Sequence, residues 1–302
     1  MVPPSQMIEA IHSQTLKNME QALDILQSWH TFDLWLMGWS CAENCNYECM
    51  QKQTLPILQN PEKSITNGEE VVKFFGKWPF RRVFGIQEFF STLFSIFNFI
   101  PFYQYFWVIQ DLLPETYFMH GVFYFYTISG MNTWVWSTAF HARDNIFTER
   151  LDYFCATFSI LVLLNIAIMR IFYLKQFKQK LITIIPTIIY FSWHCYTLHY
   201  VHFDYGWNMM MMVIFGSVYC LLWYAWCFTH PDAPHRWKIA VANTVILFMS
   251  GFEVFDFPPL WQLLDAHAIW HFSTPMCTYL TFSFAIDDAQ YLHEINMRSK
   301  EF

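Results

Sequence analysis

After position 82, the sequence consists mainly of apolar stretches separated by short polar connections. Each stretch has about 20 residues, the length that an α-helix needs to cross the hydrocarbon core of a bilayer. The pattern predicts an all-α integral membrane protein built as a bundle of seven transmembrane helices. The predicted spans lie near 84–107, 117–140, 151–172, 181–201, 207–228, 238–255 and 265–285.

The composition agrees with this class. Hydrophobic residues make up 55% of the chain, aromatic residues 21% and charged residues only 14%, which makes a soluble enzyme a poor fit. The net charge of −7 is spread along the sequence, and no basic tract interleaved with aromatic residues is present. We therefore expect a membrane lipid environment and no nucleic-acid partner.

The charge pattern divides the chain into a polar N-terminal region (1–82), a seven-span domain (83–286) and a short polar tail (287–302). Eight basic residues lie in or beside connections on the C-terminal side of the membrane, against five near the spans on the N-terminal side. The excess of basic residues on cytosolic loops then predicts a luminal N-terminus and a cytosolic C-terminus.

Three of the eight cysteines, Cys41, Cys45 and Cys49, are clustered in the polar region. Such a cluster suggests disulfides in an oxidising lumen, but the odd number leaves at least one partner to be found. Zinc binding by this trio alone would lack a fourth ligand. The other five cysteines lie in apolar stretches, where we expect small buried hydrophobes.

Five polar residues stand out within the apolar domain: Ser137, His141, Asp152, His267 and His271. Ser137 and His141 are four residues apart, as are His267 and His271, so each pair lies on one face of a helix. The predicted topology places the end of span two and the starts of spans three and seven on the same side of the membrane. All five residues are therefore expected at a similar depth near one membrane face.

Three neutral imidazoles with one open position form a catalytic zinc site, in which the bound water has a pKa near 7. Asp152 could accept the water's proton or orient a ligand histidine, and Ser137 could donate a hydrogen bond to the water or to an oxyanion.

A second histidine cluster is either structural or an alternative metal site. It comprises His194, His199 and His202. Helix capping, lipid headgroup contact and packing are all open roles for three further acidic residues, namely Glu253, Asp256 and Asp265.

These motifs resemble a known family. The matching stretches are WVWSTAFHARD (134–144), TERLDYFCA (148–156), DFPPLWQLLDAHAIWH (256–271), GWSCAENCNYECM (38–50), GKWPF (76–80) and FDYGWN (203–208). They resemble the post-GPI-attachment-to-proteins factor 3 family, the GPI fatty-acid-remodelling proteins. The similarity runs in order from about 35 to 293, and the family belongs to the CREST superfamily of seven-span membrane hydrolases.

The resemblance implies zinc bound by His141, His267 and His271, with Ser137 and Asp152 as the catalytic serine and aspartate. It further implies a phospholipase A2-type reaction that removes the unsaturated sn-2 acyl chain from GPI-anchored proteins in the ER or Golgi membrane. The family normally begins with a cleaved signal peptide and additional luminal cysteines, which residues 1–30 do not match. We therefore expect the natural chain to begin further upstream; the alternative is that the first span translocates the N-terminal region unaided.

Three other functions are open at this stage. A ceramide amidase of the same superfamily would use the same five residues, although the cysteine-containing segment and the DFPP stretch favour the GPI lipid. A non-catalytic receptor or structural protein could retain a metal-stabilised bundle. A proton-linked transporter could use Asp and His within the membrane, but the paired broken helices typical of that class are missing. Acyl-chain preference and oligomeric state are left open by the sequence.

Overall fold

The computed structural model describes residues 32–60, 68 and 70–298. Residues 1–31, 61–67 and 69 of the predicted N-terminal region and the last four residues of the predicted tail lie outside the described residues. The described residues separate into two compact units, one formed by those up to Glu88 with Pro258–Leu263 and the other by Phe89–Phe257 with the described residues from Leu264 onward.

The first unit contains helices α1 (Phe32–Leu36) and α2 (Cys41–Gln59). A capping box starts α2, because the Ser40 backbone N–H donates to Glu43 Oε2 at 2.7 Å and the Ser40 hydroxyl accepts from the Glu43 backbone N–H. The three clustered cysteines follow one face of α2, and all eight cysteines of the described chain are free thiols. Disulfide bonding of Cys41, Cys45 and Cys49 stays a prediction.

A glutamine pair holds the first unit together. The Gln51 amide donates to the Phe80 carbonyl at 2.8 Å, and the Gln262 amide donates to Gln51 Oε1 at 2.9 Å. The Arg81 backbone N–H in turn donates to the Gln262 carbonyl at 2.8 Å. Nearby, the Arg82 guanidinium lies 3.6 Å from the centre of the Trp39 ring. The segment 258–263 is thus fixed to residues far away in sequence.

The second unit consists of seven long helices in the described chain. They are α3 (Phe89–Leu112), α4 (His120–Ala142), α5 (Ile146–Ile171), α6 (Phe177–Tyr196), α7 (Tyr205–Thr229), α8 (Arg236–Phe255) and α9 (Ala266–Arg298). A π-helical turn, Thr197–Val201, extends α6. Their order and positions follow the seven predicted apolar stretches, and α9 continues as helix through the start of the predicted polar tail.

Five of these helices are long and apolar enough to cross a membrane: α3, α5, α6 with its π turn, α7 and α8. Within the described residues, α4 and α9 do not meet the same test, because both carry many Ser, Thr, His and Trp side chains. The all-helical class is therefore confirmed for the described residues, with five candidate membrane-spanning helices. That α4 and α9 also cross the membrane stays a prediction.

The helices close into a ring. In the described chain α3 packs on α4, α4 on α5, α5 on α7, α7 on α8, α8 on α9 and α9 again on α3, whereas α6 packs mainly on α5. Aromatic side chains fill the centre: the Phe102 ring meets those of Tyr126 and Phe282 edge-to-face at 5.1 and 5.7 Å between centroids. Ring closure places the first long helix, α3, beside the last, α9, which matters for the site.

Gly130 of α4 lies directly against the Phe102 ring of α3, and replacing it with alanine should destabilise the protein. A Cβ atom at this position would collide with the ring of Phe102, which is itself buried in the core. Overpacking of this kind costs about 1–3 kcal/mol. Thermal unfolding of detergent-purified protein measures the loss. Gly216→Ala in α7 is the matched control, because a Cβ there has no neighbour within 4 Å; equal melting temperatures for the two variants would contradict the prediction.

Candidate metal centre

Two of the predicted site residues lie at the end of α4 and one at the start of α5. Ser137 and His141 are one turn apart in the last two turns of α4, and both are buried. A three-residue connection leads to α5, whose first turn is capped by the Asn145 side chain accepting from the backbone N–H groups of Phe147 and Thr148. This short connection keeps Asp152, in the second turn of α5, at the same end of the bundle as His141.

The other two histidines lie in the first two turns of α9. Asp265 Oδ1 accepts from the Ala268 backbone N–H at 2.9 Å and so caps this helix start. Capping is therefore one role of Asp265, whose function the sequence left open. Asp256 occupies the C-cap position of α8. Because His267 and His271 are four residues apart on α9, both side chains leave the same face of the helix.

The structure brings the three predicted histidines together from α4 and α9. The ring centroids of His141 lie 5.1 Å from His267 and 5.0 Å from His271, and those of His267 and His271 are 4.4 Å apart. One ligand atom from each residue lies within 4.8 Å of the others. In the described part of the chain, no other group of three metal-binding side chains converges in this way.

The donor set fits a metal ion of the zinc type. Imidazole nitrogens suit zinc and similar transition metals, and three of them leave a fourth coordination position for water or substrate. The Nε2 atoms of His267 and His271 face each other at 2.8 Å, so both side chains already direct the same ring nitrogen to one point. His141 and His271 are each only 2% exposed, and burial of this kind within a bundle needs a functional or structural reason.

Glu253 is a residue of the site that sequence reasoning did not place. Its Oε2 lies 2.7 Å from His267 Nδ1, and its Oε1 lies 3.4 Å from the Tyr205 hydroxyl. A carboxylate that accepts from the outer nitrogen of a histidine is the usual support of a metal ligand. The available signal was an acidic residue in the last turn of an otherwise apolar helix, close in sequence to the histidine pair.

Helix α3 contributes a second group that the sequence analysis missed. Ser95 Oγ lies 3.1 Å from Ser137 Oγ and donates to the Ser91 carbonyl at 2.7 Å. Since the Ser95 proton is used there, the Ser137 hydroxyl is the donor between the two serines. The Asn98 amide donates to the His271 carbonyl at 2.8 Å. Polar residues at 91, 95 and 98 share one face of an apolar helix, and this spacing was the signal available.

Asp152 is buried on α5, and its neighbours place it on the same side as the histidines. The ring of the adjacent Tyr153 lies 5.6 Å from Phe140, which precedes His141, and 5.7 Å from Tyr205. Tyr205 is also the residue whose hydroxyl approaches Glu253, and it lies within electrostatic range of Asp152. The five predicted residues therefore share one end of the bundle.

The alternative cluster of three histidines near the end of α6 behaves differently. His194 is fully buried, and its Nε2 lies 3.0 Å from Asn208 Oδ1, which also accepts from the Thr157 hydroxyl at 3.1 Å. His194 thus belongs to a hydrogen-bonded contact among α5, α6 and α7. In the described chain the convergent metal-type group is the one built on His141, and the cluster around His194 is not among such groups.

Comparison with known proteins agrees with these motifs. The chain matches the Per1-like family over residues 31–289. It is 34% identical over 262 residues to a Xenopus laevis protein named GPI-specific phospholipase A2-like PGAP3, covering 86% of this chain and 80% of the relative. The human protein of that name is 34% identical over 278 residues, covering 90% and 83%.

A fungal relative is similar to the same extent. The Protein PER1 homolog of Schizosaccharomyces pombe is 34% identical over 272 residues, covering 86% of this chain and 78% of the relative. No solved structure matches the chain significantly. The family expected from the motifs is thus confirmed: this chain belongs to the Per1-like family, together with the PGAP3 proteins.

Proposed function

We propose that this protein is a zinc-dependent lipid hydrolase that removes the sn-2 acyl chain from GPI anchors, a phospholipase A2-type step of GPI remodelling. The convergence of His141, His267 and His271 at one end of a membrane-type helical bundle is the observation that carries the proposal. The names of the relatives, GPI-specific phospholipase A2-like, support the choice of lipid. GPI-anchored proteins are then the partners, through their lipid moiety.

In this proposal the three histidines hold the zinc through their ring nitrogens. When bound, zinc supplies a Lewis acid that polarises an ester carbonyl and lowers the pKa of a coordinated water to about 7. Asp152 accepts a proton as general base. Ser137, whose hydroxyl donates to Ser95 at rest, would turn that proton to the oxygen on which negative charge develops.

The proposal includes the membrane arrangement expected from the sequence. All seven long helices cross the membrane, with α4 and α9 carrying the site, and the chain resides in the ER or Golgi membrane. The N-terminus is luminal and the C-terminus cytosolic, in line with the basic residues of the connections. A site at the end of the bundle then meets a lipid substrate that arrives through the bilayer.

Metal removal tests this function directly. Protein purified in detergent is assayed for zinc content and for release of the sn-2 fatty acid from a GPI-anchored reporter, by mass spectrometry of the lipid. We expect about one zinc per chain. Dialysis against a chelator should abolish acyl release, and addition of zinc should restore it, because the proposed reaction depends on the metal to lower the pKa of the attacking water.

Ceramide serves as the control substrate. Zinc-dependent cleavage of ceramide without cleavage of the GPI lipid would replace the proposed function by the amidase alternative. A folded protein that contains no zinc would contradict the hydrolase mechanism. Zinc without turnover on either lipid would favour a receptor or structural role.

A further inference from the structure

We propose that Glu253 is a positioning residue that holds His267 in the tautomer and orientation needed to bind the metal, an inference that rests on the proposed zinc site. The contact is direct, since Glu253 Oε2 lies 2.7 Å from His267 Nδ1. It joins the last turn of α8 to the first turn of α9. A carboxylate is an acceptor only, so the proton between the two groups is carried by Nδ1.

This assignment fixes which ring nitrogen of His267 is available. With the proton on Nδ1, Nε2 of a neutral imidazole carries the lone pair. His267 Nε2 is also the atom that faces His271 Nε2 at 2.8 Å, at the point where the histidines converge. Glu253 therefore prepares His267 as a metal ligand before any metal arrives, and it raises the basicity of the ring as outer carboxylates do.

The exposure of the histidines explains why His267 in particular needs this support. The His271 residue is 2% exposed, and its ring is packed between Trp134 and Trp270, with centroids 5.2 and 5.3 Å away. The side chain of His267 is 32% exposed, and so has fewer neighbours to restrict its rotation. Among the described residues His271 Nδ1 has no hydrogen-bond partner, so packing and the contact of Nε2 with His267 orient that ring. A hydrogen bond to Glu253 takes the place of packing at the more open position.

Glu253 is itself restrained from the opposite side. Its side chain is 16% exposed, and its second oxygen lies 3.4 Å from the Tyr205 hydroxyl, a long hydrogen bond. Tyr205 begins α7 directly after its N-cap residue, Asp204, which accepts from the Trp207 backbone N–H at 2.9 Å. Helices α7, α8 and α9 thus each contribute one member of the chain Tyr205–Glu253–His267.

The test measures zinc affinity by competition with a chromogenic chelator, together with the melting temperature of the zinc-free protein. Glu253→Gln keeps the size and an acceptor oxygen but removes the charge, whereas Glu253→Ala removes the contact. We expect zinc affinity to fall about 10–100-fold in Glu253→Ala and by a smaller factor in Glu253→Gln. Asp287→Asn is the matched control, because it neutralises another carboxylate, on α9, that pairs with Lys238 and lies outside the chain Tyr205–Glu253–His267, and we expect it to keep wild-type zinc affinity.

Two results would overturn the inference while leaving the proposed function intact. The first is wild-type zinc affinity in both Glu253 variants. The second is a loss of zinc affinity only in variants whose zinc-free form also melts at a lower temperature than the zinc-free wild type. The second result would assign Glu253 to packing. A zinc-free but folded wild-type protein would remove the proposed function as well, so the two failures are distinguishable. Glu253→Gln keeps the test decisive if the alanine variant does not fold.

Discussion

His271→Ala is expected to lose its zinc and to release sn-2 fatty acid from GPI lipids more than about 100-fold more slowly than wild type. That figure is the upper end of the loss typical for residues that only support a ligand, and His271 is one of the three proposed ligands themselves. His271 is buried at the point where the three histidines converge, and among the described residues no fourth metal-binding side chain belongs to this group to replace it. Metal analysis and the fatty-acid assay on the same purified sample give both quantities.

His194→Ala is the matched control, since it removes another fully buried histidine that bonds Asn208 and lies outside the convergent group. We expect it to retain zinc. Asp152→Asn should also retain zinc but lose turnover by about 10²–10⁴-fold, the usual contribution of a general base. Full zinc content in His271→Ala, or zinc loss in His194→Ala, would contradict the assignment of the metal to this trio.

Asp288→Ala is expected to destabilise the fold by about 3–5 kcal/mol, because it leaves a buried guanidinium without its counter-charge. Asp288 is fully buried and accepts from Arg170 through both carboxylate oxygens, at 2.6 and 2.7 Å. It also accepts from the Tyr117 hydroxyl at 2.7 Å and lies 3.1 Å from His235 Nε2. One carboxylate thus ties α9 to the end of α5, the start of α8 and the segment before α4.

The neighbouring residue provides the control. Asp287 pairs with Lys238 at 2.6 Å, but its side chain is 38% exposed, so Asp287→Ala should cost no more than about 1 kcal/mol. The free energy of unfolding of both variants, measured in detergent against that of the wild type, tests this difference. The folded fraction of Asp288→Ala should keep its zinc, since this carboxylate lies 17 residues beyond His271 along α9, or about 25 Å. Equal destabilisation by the two variants would refute the role of burial.

Much of the site followed from local sequence patterns. Four-residue spacing places Ser137 with His141 and His267 with His271, and alternation of the helices puts Asp152 at the same end. The short connection between α4 and α5, which ends at the N-cap residue Asn145, then keeps the two helices adjacent. Hydropathy predicted the position of each long helix, because a lipid environment requires about 20 apolar residues per crossing. These properties are read from neighbouring residues and need no knowledge of packing.

The long-range partners depended on the tertiary structure. Glu253 was visible in the sequence as an acidic residue near the histidines, but capping, lipid contact and packing were equally consistent with its position. Its contact with His267 arises because α8 packs on α9 with those two turns facing each other. Ser95 reaches Ser137 because α3 packs on α4, and Asn98 reaches His271 because the helical ring closes α3 against α9, more than 170 residues away in sequence.

The sequence by itself determined that this chain is a helical membrane protein with a serine, an aspartate and three histidines at one end, because helical periodicity and hydrophobic length are local properties. Only the tertiary structure decided which ring nitrogens converge, which carboxylate supports His267 and which buried aspartate joins Arg170, Tyr117 and His235. These features depend on the rotation and packing of each helix against its neighbours, which side-chain shape sets across the whole bundle.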